Sequence, residues 1–199
     1  MPRASRASSF LALFLCATVA ASCGDDPFSI RAPFVTVSDS FAISALTRTP
    51  ASSRSLWRIG TFERFRIDSV GSQFDLGLDI DAGGRLLVVP ARRIAVPPPG
   101  TVASPPVVGL QVSSAAYASA DRAPENGYIV DTALVVTKGQ TVFVRTASNA
   151  CATQNTGGTQ LFAKFVIDSI NTTTRVLLVR ATFQPSCNFR SFATGIPTF

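Results

Sequence analysis

Phe74-Asp75-Leu76-Gly77-Leu78-Asp79-Ile80-Asp81 is the stretch that decides the fold class. Every second residue is apolar, which is the period of a pleated strand with one face on a core and the other in water. Ala82-Gly83-Gly84 follows and offers the positive backbone angles of a tight turn. Residues 86–89 are apolar again, so the unit reads as a β-hairpin. The same pattern of two recurs outward from it, at 34–38, 41–46, 62–67, 107–112, 128–136, 141–146, 161–170 and 176–183. Lys138-Gly139 and Asn171-Thr172-Thr173 punctuate two further hairpins. No long apolar stripe of period 3.6 appears. The expected fold is all-β, an antiparallel β-sandwich of about eight to ten short strands, with a barrel-like closure as the alternative.

Three segments interrupt the pattern. Residues 47–55 are polar and contain Pro50, which predicts a loop. Residues 97–106 hold five prolines. Proline cannot donate to a ladder, so this segment is expected to be a stiff surface connection within a single domain spanning 34–199. Residues 114–121 are rich in alanine and fit one or two helical turns.

Composition narrows the chemistry. Of 199 residues, 46% are hydrophobic and 15% charged, so the chain has a core to bury and is not a solvating polymer. It contains no histidine. Ser-His and Cys-His dyads, histidine zinc sites and histidine-ligated haem are therefore excluded. The formal charge is +6, but no basic run exceeds Arg92-Arg93 and none is interleaved with aromatics. Nucleic-acid binding is accordingly not expected.

The first 22 residues read as an export signal. Arg3 and Arg6 give a positive start, and 10–21 form an apolar run too short to span a ~30 Å hydrocarbon core comfortably. Ala20-Ala21-Ser22-Cys23 follows, then Gly24-Asp25-Asp26. This resembles the lipobox of bacterial lipoproteins, with Ala20 where leucine is usual. The resemblance implies that Cys23 is lipidated, that 23–33 is a tether, and that the protein is anchored to a membrane through its N-terminal lipid. The alternative is an ordinary secretory peptide cut before the same cysteine. By resemblance to Gram-negative lipoproteins, Gly24 in place of an aspartate favours the outer membrane, with the domain periplasmic or surface-facing.

Four cysteines are present. Cys16 leaves with the signal and Cys23 carries lipid, so Cys151 and Cys187 remain as a pair in an oxidising compartment. Residues 128–136, 141–146, 161–170 and 176–183 are taken as four successive antiparallel strands, the two last hairpins, of which 141–146 is the second and 176–183 the fourth. The second and fourth would then run in the same direction and end at one edge, each with a cysteine shortly after it. A structural disulfide between Cys151 and Cys187 is expected. With two thiols and no histidine, neither a metal nor a cofactor is expected.

Residues with chemical potential have plain structural readings beside them. Asp75, Asp79 and Asp81 share one strand face and are expected to face solvent, with Asp81 bonding amides in the turn. Asp79-x-Asp81-x-Gly83 has too few ligands for a calcium loop, and Asp79 with Asp81 is a thin basis for a carboxylate-pair hydrolase. Lys164 is expected to guard a sheet edge or to snorkel. Lys138 belongs to a turn, and Gly157-Gly158 has no following helix to make a phosphate loop. Trp57, Tyr117 and Tyr128 are dispersed, which favours packing over a carbohydrate platform. Val142-Phe143-Val144-Arg145-Thr146, the run from Leu161 to Ile170, and Val176-Leu177-Leu178-Val179-Arg180 are similar to hairpins of HmuY-like surface lipoproteins, an all-β family. That family's haem ligands are histidines, so its haem binding does not carry over. The function expected is a non-enzymatic envelope module that binds a partner protein, a glycan or a small ligand. A histidine-free carboxylate hydrolase and a structural or adhesin subunit are the alternatives.

Overall fold

The computed structural model describes residues 32–68, 74–94, 105–148, 151, 154 and 158–193. The signal, Cys23, most of the tether and nearly all of the proline-rich connection lie outside them. The strands are β1 Val37–Ser44, β2 Arg54–Trp57, β3 Arg64–Arg66, β4 Leu76–Ile80, β5 Leu86–Pro90, β6 Val108–Val112, β7 Ile129–Val130, β8 Leu134–Val136, β9 Thr141–Ala147, β10 Gln160–Asn171 and β11 Val176–Gln184. Helical geometry among the described residues is confined to short 3-10 turns, one of them at Tyr117–Ser119 in the alanine-rich segment.

Two open antiparallel sheets pack face to face. One has six strands in the order β1-β11-β10-β9-β6-β7, and the other has five in the order β3-β2-β4-β5-β8. The β-sandwich expected from period-2 patterning is therefore the fold, and neither sheet closes into a barrel. The inward faces of β9, β10 and β11 supply Val142, Val144, Ala163, Phe165, Ile167, Leu177, Val179 and Ala181 to one core. Trp57 fills its centre with no exposed surface, its ring centroid 5.1 Å from that of Phe41 and 5.5 Å from that of Phe165. Each buried valine, leucine, isoleucine or phenylalanine side chain among these contributes roughly 1.5–3 kcal/mol by leaving water.

The two hairpins with the clearest turn chemistry form as expected. β4 and β5 pair from Leu76↔Pro90 to Ile80↔Leu86. β10 and β11 pair across a turn in which Asn171 Oδ1 accepts the amides of Thr173 and Thr174.

Elsewhere the patterning misplaces breaks. The stretches 34–38 and 41–46 are not two strands. β1 runs through Asp39 and Ser40, opposite Ala181 and Arg180, because a ladder is made by backbone and tolerates polar side chains that reach water. β2 begins inside the expected loop 47–55, and Ser55 is buried with its hydroxyl on the Ala45 carbonyl. The stretch 128–136 is two strands in different sheets. At Asp131, with φ of 48°, the chain leaves the six-stranded sheet after β7 and enters the five-stranded one as β8. The Lys138-Gly139 turn accordingly joins sheets rather than closing a hairpin, and the Gly139 amide reaches across to the Ile167 carbonyl.

Candidate functional site

The three aspartates do not share a wet face. Asp75 is 6% exposed and Asp79 8% exposed, because β4 lies in the middle of its sheet and both of its faces are covered. Asp75 accepts the Ile59 amide at 2.7 Å and the Thr146 hydroxyl at 2.6 Å, linking the two sheets. Burial pushes its carboxyl above the ordinary value, against the two hydrogen bonds and the nearby Arg58. Asp79 accepts the Thr47 amide and hydroxyl and pairs with Arg175 at 3.3 Å. Arg175 arrives from the β10–β11 turn and also donates to the Thr47 and Ile80 carbonyls, so the pair closes one end of the sandwich. Asp81 behaves as expected of a turn residue. Its Oδ1 accepts the Gly83 and Arg85 amides, and those bonds, with the Arg85 side chain, hold its carboxyl below the ordinary value. Asp79 and Asp81 thus have separate structural duties and do not converge on a cleft.

The lysine expected to guard an edge or to snorkel is in the interior of the sheet. Lys164 sits on β10, flanked by β9 and β11, and is 5% exposed. It faces away from the main core, into a second apolar layer of Phe143, Phe162, Phe192, Ala120, Ala123 and Tyr128. Its Nζ donates to the Tyr117 carbonyl at 2.8 Å and lies 4.7 Å from the centre of the Tyr117 ring. Desolvation lowers its pKa, and Asp121 opposes that shift. The Tyr117 hydroxyl lies 2.7 Å from that of Thr182, and the Arg180 guanidinium carbon lies 4.8 Å from the centre of the Tyr117 ring. These contacts bind segment 113–128 to the outside of the six-stranded sheet. Trp57, Tyr117 and Tyr128 are packing residues, the first in the core and the other two in this outer layer.

One trough opens beside that layer. It has a volume of about 120 Å³ and is lined by Val107, Gly109, Val130, Arg145, Thr146, Ala147, Thr159 and Gln160. The sheet register builds it: Gly109 on β6 stands opposite Val130 on β7 and Arg145 on β9. Gly109 is needed here, since a Cβ at that position would lie 2.9 Å from the Tyr128 Cβ. The missing side chain lets Tyr128 settle over β6, where its ring is a shelf for Arg145, the guanidinium carbon 4.6 Å from the centroid. Burial raises the Tyr128 pKa, and the charges of Arg145 and Arg190 pull the other way. The rim is fixed by Asp131. Its carboxylate accepts the Val108 amide and Arg92, and its carbonyl accepts Arg93.

The sequence carried part of this site. Alternation in Val142-Phe143-Val144-Arg145-Thr146 puts Arg145 on the outward face with Phe143. The glycine opposite is visible only once β6 is paired with β9. Cys151 and Cys187 come together as expected, bonded with a Cα separation of 5.6 Å at the same end of the sheet as the trough. Among the described residues no cluster of three or more acidic, cysteine or histidine side chains is placed to hold a metal. No family model matches the chain, and no characterised protein or solved structure is recognisably similar to it.

Proposed function

We propose that the chain is a lipid-anchored protein of the bacterial cell envelope that acts as a non-enzymatic binding module, held to the membrane through Cys23. The observation that carries the anchor is the apolar run at 10–21 ending in Ala20-Ala21-Ser22-Cys23. Acyl chains on Cys23 contribute about 0.8 kcal/mol per buried methylene. The Cys151–Cys187 disulfide supports export, since such bonds persist in oxidising compartments. Gly24 directly after the cysteine supports placement in the outer membrane.

The geometry of the carboxylates supports binding over hydrolysis. Asp75 and Asp79 spend their oxygens on internal donors, and neither borders the trough. Among the described residues the trough supports this reading, with an arginine, small residues and aliphatic walls. Mass spectrometry of the N-terminal peptide from membrane-derived protein tests the anchor. Acyl chains on Cys23 are the expected result, and an unmodified Cys23 thiol in protein free of membrane would overturn it.

A further inference from the structure

We propose that the trough is a carboxylate subsite: a carboxylate next to a short aliphatic segment binds with its two oxygens on the Arg145 guanidinium and its carbons against Val107, Val130 and Ala147. This rests on the proposal that the chain is a binding module.

The unspent donors of Arg145 carry the inference. Five described arginines are partly buried, and four of them reach a protein acceptor. Arg58 donates to Glu63, Arg64 to the Ala42 carbonyl, Arg175 to Asp79, and Arg190 to the Ala123 carbonyl and Glu125. Arg145 is the fifth, and among the described residues its guanidinium has only the Tyr128 ring as a partner. A guanidinium is planar, with its N–H donors in the plane and its faces free to stack. The contact with Tyr128 is a cation over a ring, 4.6 Å from its centroid, and it supplies the N–H donors of Arg145 with no oxygen acceptor. A guanidinium held against a ring, lining a concave surface and without an oxygen acceptor among the described residues, suits a planar two-oxygen acceptor.

The rest of the lining selects among anions. Among the described residues no second cationic side chain lines the trough, whereas a doubly charged phosphate would call for more positive charge than one arginine gives. Val107, Val130 and Ala147 offer apolar contact instead. The volume of about 120 Å³ admits a group a little smaller than benzene, which fills a cavity of ~150 Å³. A carboxylate with three or four carbons fits that space. The same chemistry occurs in a short free acid and at the C-terminus of a peptide.

The test is NMR titration of the intact chain with butyrate, N-acetylvaline, butan-1-ol and inorganic phosphate, following the Arg145 Nε–H and the Gly109 and Val130 amides. Butyrate and N-acetylvaline are expected to shift these signals saturably, the tighter of the two showing whether a free acid or a peptide terminus is preferred. Arg145→Lys keeps the charge and removes the fork, and is expected to weaken both by roughly tenfold or more, with an amide spectrum away from the trough that shows the fold retained. Equal shifts with butan-1-ol, a preference for phosphate, or undiminished butyrate affinity in Arg145→Lys would overturn the carboxylate subsite and leave the trough as a binding site. Silence from all four probes would overturn the subsite and the trough's role as a binding site together.

Discussion

Asp75 is the residue at which the fold works against a charge. Its carboxyl is buried and its pKa is raised by desolvation, despite bonds from the Ile59 amide and the Thr146 hydroxyl. A carboxyl whose folded value lies above its unfolded one keeps its proton longer in the native state. Between those two values the native state binds more protons than the unfolded chain, so stability falls as pH rises through that window and the loss is complete above the folded value. Asp75→Asn offers an oxygen to the Ile59 amide and an N–H to the Thr146 oxygen without the charge. At pH 7 it is expected to be at least as stable as the parent, and its stability should be flatter with pH above about 4. Asp75→Ala strands the Ile59 amide and is expected to lose about 1–3 kcal/mol. Urea denaturation across a pH series measures all three proteins, and parallel curves for parent and Asn variant would contradict the raised value.

At the scale of elements, Gly109 couples β6 to the outer layer through its lack of a side chain. An alanine there would place a Cβ 2.9 Å from the Tyr128 Cβ, an atom next to the backbone that cannot swing aside. Gly109→Ala is therefore expected to cost about 1–3 kcal/mol in a chemical denaturation curve. It should also move Tyr128 off β6 and free Arg145, read as increased mobility of the Arg145 Nε–H. An unchanged denaturation midpoint would mean that the outer layer adapts at no cost. The elements themselves were largely legible, because β4, β5, β6, β9, β10 and β11 announce themselves by alternation and turn residues. What alternation cannot report is how many layers cover a strand. Asp75 and Asp79 occupy polar positions of the pattern and are buried all the same, since loops and the β10–β11 turn lie over them. Nor does it report where a strand changes sheets. The stretch 128–136 looks continuous, and its break at Asp131 is held by Arg92 and Arg93, some forty residues earlier in the chain. Arg145 was likewise assignable to a face, but its shelf and the gap opposite depend on partners distant in sequence.

At the scale of the whole molecule, the Cys151–Cys187 bond joins the ends of β9 and β11, which run in the same direction on either side of β10. Both half-cystines belong to the main core, with exposures of 2% and 0%. The Cys187 amide donates to Gln154 Oε1 at 2.8 Å, Gln154 Nε2 donates to the Pro185 carbonyl, and the Asn188 amide meets the Gln160 carbonyl beside the trough. Closing a sequence separation of 36 residues lowers the entropy of the unfolded chain, and the chain-entropy relation gives about 3–4 kcal/mol. Against a typical ~5–15 kcal/mol for a domain, that is a large share of stability. At about 2–4 °C per kcal/mol for a chain of this size, reduction is expected to lower the melting temperature by roughly 6–16 °C. The Cys151→Ala/Cys187→Ala double variant should match the reduced parent and no longer respond to reductant. A melting temperature indifferent to reductant in the parent would show that the bond adds nothing that the sheet register does not already supply. The expected drop would mean that the sandwich reaches full stability only once the bond between the ends of β9 and β11 has formed.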